Sequence, residues 1–498
     1  MAVASTAADA SYPTTIGYML IFNLIVGTGA LALPKAFHSA GYGLGVLLLL
    51  ISSFMSYVCA TFVVEGMAIA NAAIRRDALR TNRERSEKQI SEAYAITKRV
   101  EVSTMAGLFM GKYGVLCLNS VVTVYLFGDL ARITVYRLAI CAFVCFVTPM
   151  VLIGVHRTKY LQLSTSACRW TAFALMIVLA CIQLVREGSP DPPQVFNIHG
   201  FGSLFGTTVY AFMCHHSLPS LITPMKSKRH VFFYLILVYA LVLTFYLALA
   251  ISGTFSFEHI FDVYSLNFLH NKTDAIQELF INYFLALFPV FTLTSNYPIV
   301  ACTLVNNLTV LVDLVVELFL SNAKLQLFGS SAMGFSPDYV IRRYTRRIRS
   351  ANHPIDEEAH SEDETFAIDS TSRLGRLRHH TIALVVVASA TLIAVFTDNV
   401  LVLTSITGSY PGVGVQYIIP SLIAIYGRRF SQRIMGAQVP RSTRSPFSSS
   451  RWPKAMLLWS AFTVLMVTLN LVMRSPDYPV VQTNITASLQ PTFALGAQ

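Results

Sequence analysis

Charge is scarce in this sequence. Asp, Glu, Lys and Arg make up 13% of its 498 residues, and 54% are hydrophobic. A soluble globular protein carries roughly 25% charged residues, so the scarcity excludes a water-soluble enzyme or scaffold. With a mean hydropathy of +0.56, the chain reads as a polytopic membrane protein. Paired cysteine is lacking too. The eight cysteines, at 59, 117, 141, 145, 168, 181, 214 and 302, lie in or beside apolar runs without Cys-x-x-Cys spacing. Neither a disulfide framework nor a zinc site is expected, and they read as buried thiols. No nucleophile–base pair stands out, so no enzyme is expected. No ring of repeated polar residues marks a channel. Residues 1–13 have no basic n-region, and the first apolar run is too long for an h-region, so no secretory signal peptide is expected. The net charge of +11 is scattered over loops without interleaved aromatics, which excludes a nucleic-acid groove.

Long apolar runs are what the chain does have. Those long enough to cross a ~30 Å hydrocarbon layer lie at 14–34, 45–69, 114–131, 138–155, 167–186, 200–224, 231–254, 280–304, 381–397, 400–426 and 455–473. The run 308–320 carries Asp313 and Glu317 and is read as an interfacial helix or an extension of the eighth span, because a carboxylate at mid-membrane is costly. Basic residues test the resulting eleven spans, since cytoplasmic loops are enriched in them. With the N-terminus cytoplasmic, 31 of the 37 basic residues fall inside and six outside. In this topology Asn271 and Asn484, each in an Asn-x-Thr sequon, face the lumen or exterior and are glycosylation candidates, whereas Asn307 faces the cytoplasm. Glu65 falls at the inner interface, and Asp129 near the outer one with Arg132. Residues 75–99 read as a solvated helical connector. The long loop 321–379 holds an Arg cluster at 342–349 and an acidic run at 356–364, a composition that favours disorder and binding to a protein or to anionic lipid.

The chain is organised around Asn23-Leu-Ile-Val-Gly27-Thr28-Gly29-Ala30-Leu-Ala-Leu-Pro34. Two glycines near the middle of a span permit either a close helix approach or a broken helix with exposed backbone at a substrate site. Eleven spans divide as five, five and one, which makes the second unit inverted and the sixth span the mirror of the first. That span reads Phe212-Met-Cys-His215-His216-Ser217-Leu-Pro219-Ser-Leu-Ile-Thr-Pro224, with two prolines and two histidines. Paired interruptions favour the broken-helix reading. Free N–H groups at a break suit a carboxylate, and free carbonyls suit an ammonium or a small cation. An α-amino acid carries both charges. The histidines are either neutral caps for freed backbone or proton carriers. In the eighth span, Thr292, Thr294, Ser295 and Asn296 supply oxygens that suit a cation.

The Asn23–Pro34 stretch resembles the first-helix signature of the amino acid/auxin permease family, part of the wider amino acid–polyamine–organocation group. Phe22–Phe37, Val124–Ala131, Thr158–Gln162, Phe212–Pro224, Leu287–Phe291 and Thr404–Gly408 extend the resemblance over nearly all of the membrane core. It implies an all-α membrane protein of eleven transmembrane helices, a LeuT-like inverted five-plus-five repeat with helices 1 and 6 broken. The units are then a cytoplasmic tail 1–13, a first repeat 14–186, a second repeat 200–426 that includes loop 321–379, an eleventh helix 453–473, and an exterior or lumenal tail 474–498. It also implies sodium- or proton-coupled amino acid symport at the plasma or an endolysosomal membrane, with no cofactor beyond the coupling ion. Substrate is then held at Gly27, Thr28, Gly29 and Ala30, with Phe212, His215 and Ser217 across the second break. The cation falls to Asn23, Thr294 and Ser295. The short loop 132–137 and the long loop 321–379 depart from the general family pattern, and an amino acid sensor that signals without transport is the alternative.

Overall fold

The computed structural model describes residues 12–75, 87–130, 159–190, 194–269, 278–289, 300–301, 303–305, 307–312, 314–315, 380–389, 400–436 and 438–473. Among these residues the chain is helical, and its one β feature is an isolated bridge between Tyr12 and Met225. Five helices are long and apolar enough to span a bilayer, and a bent pair brings the number to six. The expected span at 138–155, loop 321–379 and the tail 474–498 lie outside the described residues, as do Asn271, Thr294, Ser295 and Asn484.

The first apolar run is two helices. α1 spans Thr14–Ile25 and α2 spans Leu33–Ala40, joined by a 3-10 turn at Thr28–Ala32, with a bend of 41°. Pro34 sits in the first turn of α2, where its missing N–H costs nothing. Gly41 ends α2 at φ 90°. A side chain there would be strained, and its Cβ would lie 2.6 Å from Val195 O. α3 (Tyr42–Ile74) follows, and 67% of its most apolar window is buried inside the protein, which makes it the central helix. α4 (Val102–Leu130) kinks at Gly111, whose φ of 73° only glycine adopts freely. α5 spans Lys159–Glu187, longer at its start than the apolar run.

The sixth run is also divided, into α6 (Phe201–Ala211) and α7 (Leu218–Ile222). Pro219 lies in the first turn of α7, so the proline restarts the helix rather than breaking its interior. α8 (Val231–Ser256) is followed, among the helices that build the site, by α9 (Val400–Thr407), two π-helical turns at Gly408–Gly412 and Gly414–Ile418, α10 (Ile419–Met435) and α11 (Arg451–Met473).

The two divided runs lie against each other in opposite sense: α1 packs on α7, and α2 on α6. Both ends are tied by backbone. At the end nearer the N-terminus Tyr12 N–H donates to Pro224 O at 3.3 Å, Lys226 N–H donates to Tyr12 O at 3.2 Å, and the Tyr12 hydroxyl donates to Leu221 O. Burial pushes the Tyr12 phenol up to about 12, so it stays a neutral donor at physiological pH. At the opposite end Tyr42 N–H donates to Gln194 O (3.1 Å) and Asn197 N–H to Ala40 O (2.8 Å). Where α6 crosses the α9 end, no side chain intervenes. A Cβ on Gly408 would sit 1.9 Å from Gly206 O, and one on Gly206 would sit 2.1 Å from Ser405 O. Small residues allow this approach.

Three expectations are corrected here. Glu65 is not a solvated interfacial carboxylate. It is 1% exposed, and its two oxygens accept Arg428 Nη2 at 2.7 Å and Nε at 3.0 Å. The two residues are far apart in sequence, yet α3 and α10 pack together and bring them into contact. The 75–99 connector is not merely solvated: Ala93, Tyr94 and Ile96 are buried, and the Tyr94 hydroxyl lies 2.7 Å from Ser431 Oγ. Of the cysteines, only Cys59 and Cys214 are described as buried, while Cys117, Cys168 and Cys181 are exposed on apolar helices. A thiol is apolar enough to face hydrocarbon.

Candidate substrate site at two helix breaks

α1 stops because Val26 (φ −75°, ψ 79°) and Gly27 (φ −108°, ψ −162°) leave helical geometry. Its last carbonyls then need partners. Two side chains supply them, and a third holds the Asn23 side chain. Arg169, on α5 and 5% exposed, donates from Nη1 to Asn23 O and to Val26 O, the latter at 3.0 Å. Trp170 Nε1 donates to Asn23 Oδ1 at 2.9 Å, and its ring stacks on Phe22 with centroids 4.2 Å apart. The Tyr246 hydroxyl on α8 lies 2.8 Å from Ile25 O. Beyond the break, Ala30 N–H bonds back to Gly27 O at 3.2 Å, but the N–H groups of Thr28 and Gly29 have no backbone carbonyl among the described residues. They open a short helix and carry its partial positive charge.

The two glycines have different surroundings. A Cβ on Gly27 would meet nothing closer than Ile25 O at 3.9 Å, whereas one on Gly29 would be 2.7 Å from the Tyr210 ring and 3.2 Å from Ala211 Cα. Gly27 therefore faces open space. Gly29 lets α6 approach, and its backbone N–H stays available. The helix is broken at Gly27, and the close approach of a neighbouring helix is at Gly29.

The second break covers Phe212–Ser217. Ala211 O lies 2.9 Å from the same Tyr246 hydroxyl. One phenol thus touches both breaks, and its single proton serves one carbonyl at a time. The Phe212 side chain is fully buried, edge-on to Tyr246 (5.3 Å) and stacked on Tyr239 (6.2 Å). His215 is 1% exposed, and its Nε2 lies 2.9 Å from Ser56 O. A carbonyl only accepts, so Nε2 carries the proton. His215 Nδ1 and His216 Nδ1 are buried without a partner. The His216 ring lies 5.8 Å from that of Tyr125. Ser217 starts α7 without capping it. Gln416, in the second π-helical turn, donates to Ser56 Oγ at 3.1 Å. Ser56 Oγ lies 3.3 Å from the Tyr239 hydroxyl, which lies 3.3 Å from Cys214 Sγ. This chain joins α3, the second break, α8 and the π-helical turn before α10.

Of the residues singled out from the sequence, Gly27, Gly29 and Ala30 come together with the second break through Tyr246 and Tyr210. His215 lines that break on the α3 side. Asn23 lies at the first break, but its amide oxygen and backbone carbonyl are already engaged. The side chain of Thr28 lies outside the described residues. Arg169 and Tyr246 were missed. The signals were there, a basic residue beside Trp170 in an apolar run and a tyrosine in mid-span, but neither says what it caps.

Compared with known proteins, the chain matches over residues 13–440 the family described as transmembrane amino acid transporter protein. It is 39% identical over 504 residues to the transmembrane protein 104 homolog of Caenorhabditis elegans, covering 93% of this chain and 97% of that protein. It is 33% identical over 538 residues to transmembrane protein 104 of Homo sapiens, covering 93% and 97% respectively. Among solved structures, a manganese transporter of Eremococcus coleocola superposes with a TM-score of 0.32 at 11% identity, covering 92% of each chain. At that score the superposition carries no argument.

Proposed function

The chain belongs to the transmembrane amino acid transporter protein family, and on that premise we propose that it is a secondary active transporter of amino acids, driven by a sodium or proton gradient. It is a multi-pass integral membrane protein. In this reading it has eleven spans as an inverted five-plus-five repeat plus one, with a cytoplasmic N-terminus. One observation carries the proposal: two interrupted helices lie against each other with their breaks joined through the Tyr246 hydroxyl. The N–H groups of Thr28 and Gly29, which have no backbone carbonyl among the described residues, suit a carboxylate, and the C-terminal end of α6 at the second break, with its partial negative charge, suits an ammonium. The open space at Gly27 gives the substrate room.

The test is uptake of labelled amino acids into proteoliposomes. Gly27→Leu is expected to insert and fold normally, because the space there is open, and to lower substrate affinity at least ~10-fold, the equivalent of about 1.4 kcal/mol. Unchanged affinity would place the site elsewhere. Gly29→Ala is expected to act differently, through overpacking against Tyr210, with a stability loss of ~1–3 kcal/mol. A protein that binds amino acids with full affinity and moves none would be a sensor instead.

Topology has its own test. Asn271→Gln and Asn484→Gln are each expected to remove one glycosidase-sensitive mobility shift. A shift lost in Asn307→Gln would overturn the assigned orientation.

A further inference from the structure

The last carbonyls of α1 carry the negative end of a helix dipole, about half an elementary charge. A coupling sodium ion at this break would need those oxygens, and Asn23 was the residue expected to supply one from its side chain. The structure gives them other occupants. Arg169 lies about three turns into α5 at 1.5 Å per residue, well inside the bundle and 5% exposed. Its Nη1 donates to Asn23 O and Val26 O, which are one turn apart on the same face of α1. Asn23 Oδ1 is taken by Trp170 Nε1 at 2.9 Å. The ion pairs among the described residues are Arg99–Glu101 and Arg428–Glu65, so no described carboxylate neutralises the guanidinium. Its counter-charge is the helix end. The sodium expectation at Asn23 does not fit these residues.

We propose that Arg169 is a resident cation that takes the place of a coupling sodium ion at the first helix break, so that the chain works without sodium there. The proposal rests on the transporter reading for its consequence in flux, but not for its geometry. A guanidinium fills the position because the two N–H donors of its Nη1 reach both carbonyls at once, and it stays charged at any physiological pH. A second monovalent cation ~4 Å away would be weakened by roughly a thousandfold at an effective dielectric near 20. Arg169 here is a positioning residue. It fixes the end of α1 and leaves the Thr28 and Gly29 N–H groups, on the other side of the break, for substrate.

The experiment uses the full chain, purified in detergent, with thermal midpoints measured in sodium chloride and in choline chloride at equal ionic strength. The wild type is expected to melt within about 1 °C in the two salts, because a ligand must bind the native state to shift its midpoint. Arg169→Ala frees both carbonyls and is expected to acquire a saturable shift specific to sodium. Arg169→Lys keeps the charge and is expected to remain indifferent to sodium. A saturable sodium shift in the wild type overturns the proposal, and so does a folded Arg169→Ala variant that gains none. Should Arg169→Ala fail to fold, the wild type and Arg169→Lys decide. In proteoliposomes, amino acid uptake is expected to be equal within twofold in the two salts, and a tenfold activation by sodium would overturn the proposal. Absence of uptake in both salts would instead sink the transporter reading and leave the melting experiment to decide this one.

Discussion

Glu65→Ala is expected to be among the most destabilising single substitutions in the membrane core, with a loss of about 3–5 kcal/mol. The reason is what it leaves behind. Arg428, 17% exposed, loses both carboxylate oxygens and keeps only the carbonyls of Phe447 and Ser448 at 3.1 Å and the Phe62 ring at 5.5 Å. An enclosed guanidinium without its anion is far costlier than an apolar pair of similar size. Glu65→Met combined with Arg428→Met is therefore expected to recover most of the loss. The measurement is the thermal midpoint and monodisperse yield of detergent-solubilised protein for both singles and the double. Additive losses in the double variant would mean that the two charges are not coupled, and the ion pair would then contribute nothing specific to the fold.

Gly408→Ala is expected to leave little or no folded protein. Its Cβ would lie 1.9 Å from Gly206 O and 2.7 Å from Gly206 C, far inside van der Waals contact. Both atoms are backbone, so no rotamer change relieves the clash, and α6 must move away from the α9 end. The cost exceeds the ~1–3 kcal/mol of ordinary core overpacking. Gly206→Ala meets Ser405 O at 2.1 Å and is expected to behave alike. Gly27→Ala is the control, with its nearest atom at 3.9 Å. Near-normal yield of Gly408→Ala would mean that these helices cross more loosely than described.

The helix breaks were legible in the sequence because their cause is local. A Gly-x-Gly in mid-span and a His-His-Ser-Leu-Pro run each lower the cost of leaving helical geometry where they stand, and the breaks fall at Val26–Gly27 and Phe212–Ser217. The partners of the breaks were not legible. Hydropathy scores each side chain as if it faced the same surroundings, so Arg169 counted as the edge of a cytoplasmic loop and Arg428 as the start of another. In the fold both are enclosed, one by carbonyls and one by Glu65. Two of the basic residues counted as loop charges are therefore structural. Tyr246 was equally silent, because a tyrosine in an apolar helix reveals its hydrogen bonds only when the helices across from it are known. The cysteines misled in the opposite sense: apolar surroundings were read as burial, and three of them face outward.

The Glu65–Arg428 pair also sets a timetable for the newborn chain. Its members are 363 residues apart in sequence. At ~5–20 residues per second of synthesis, Glu65 is made about 20–70 s before its partner leaves the ribosome. Through that interval α3 holds a carboxyl group with no guanidinium to meet it, and a charged carboxylate at such a position resists entering lipid. α3 is therefore expected to carry that carboxyl unpaired until α10 is made and closes around it.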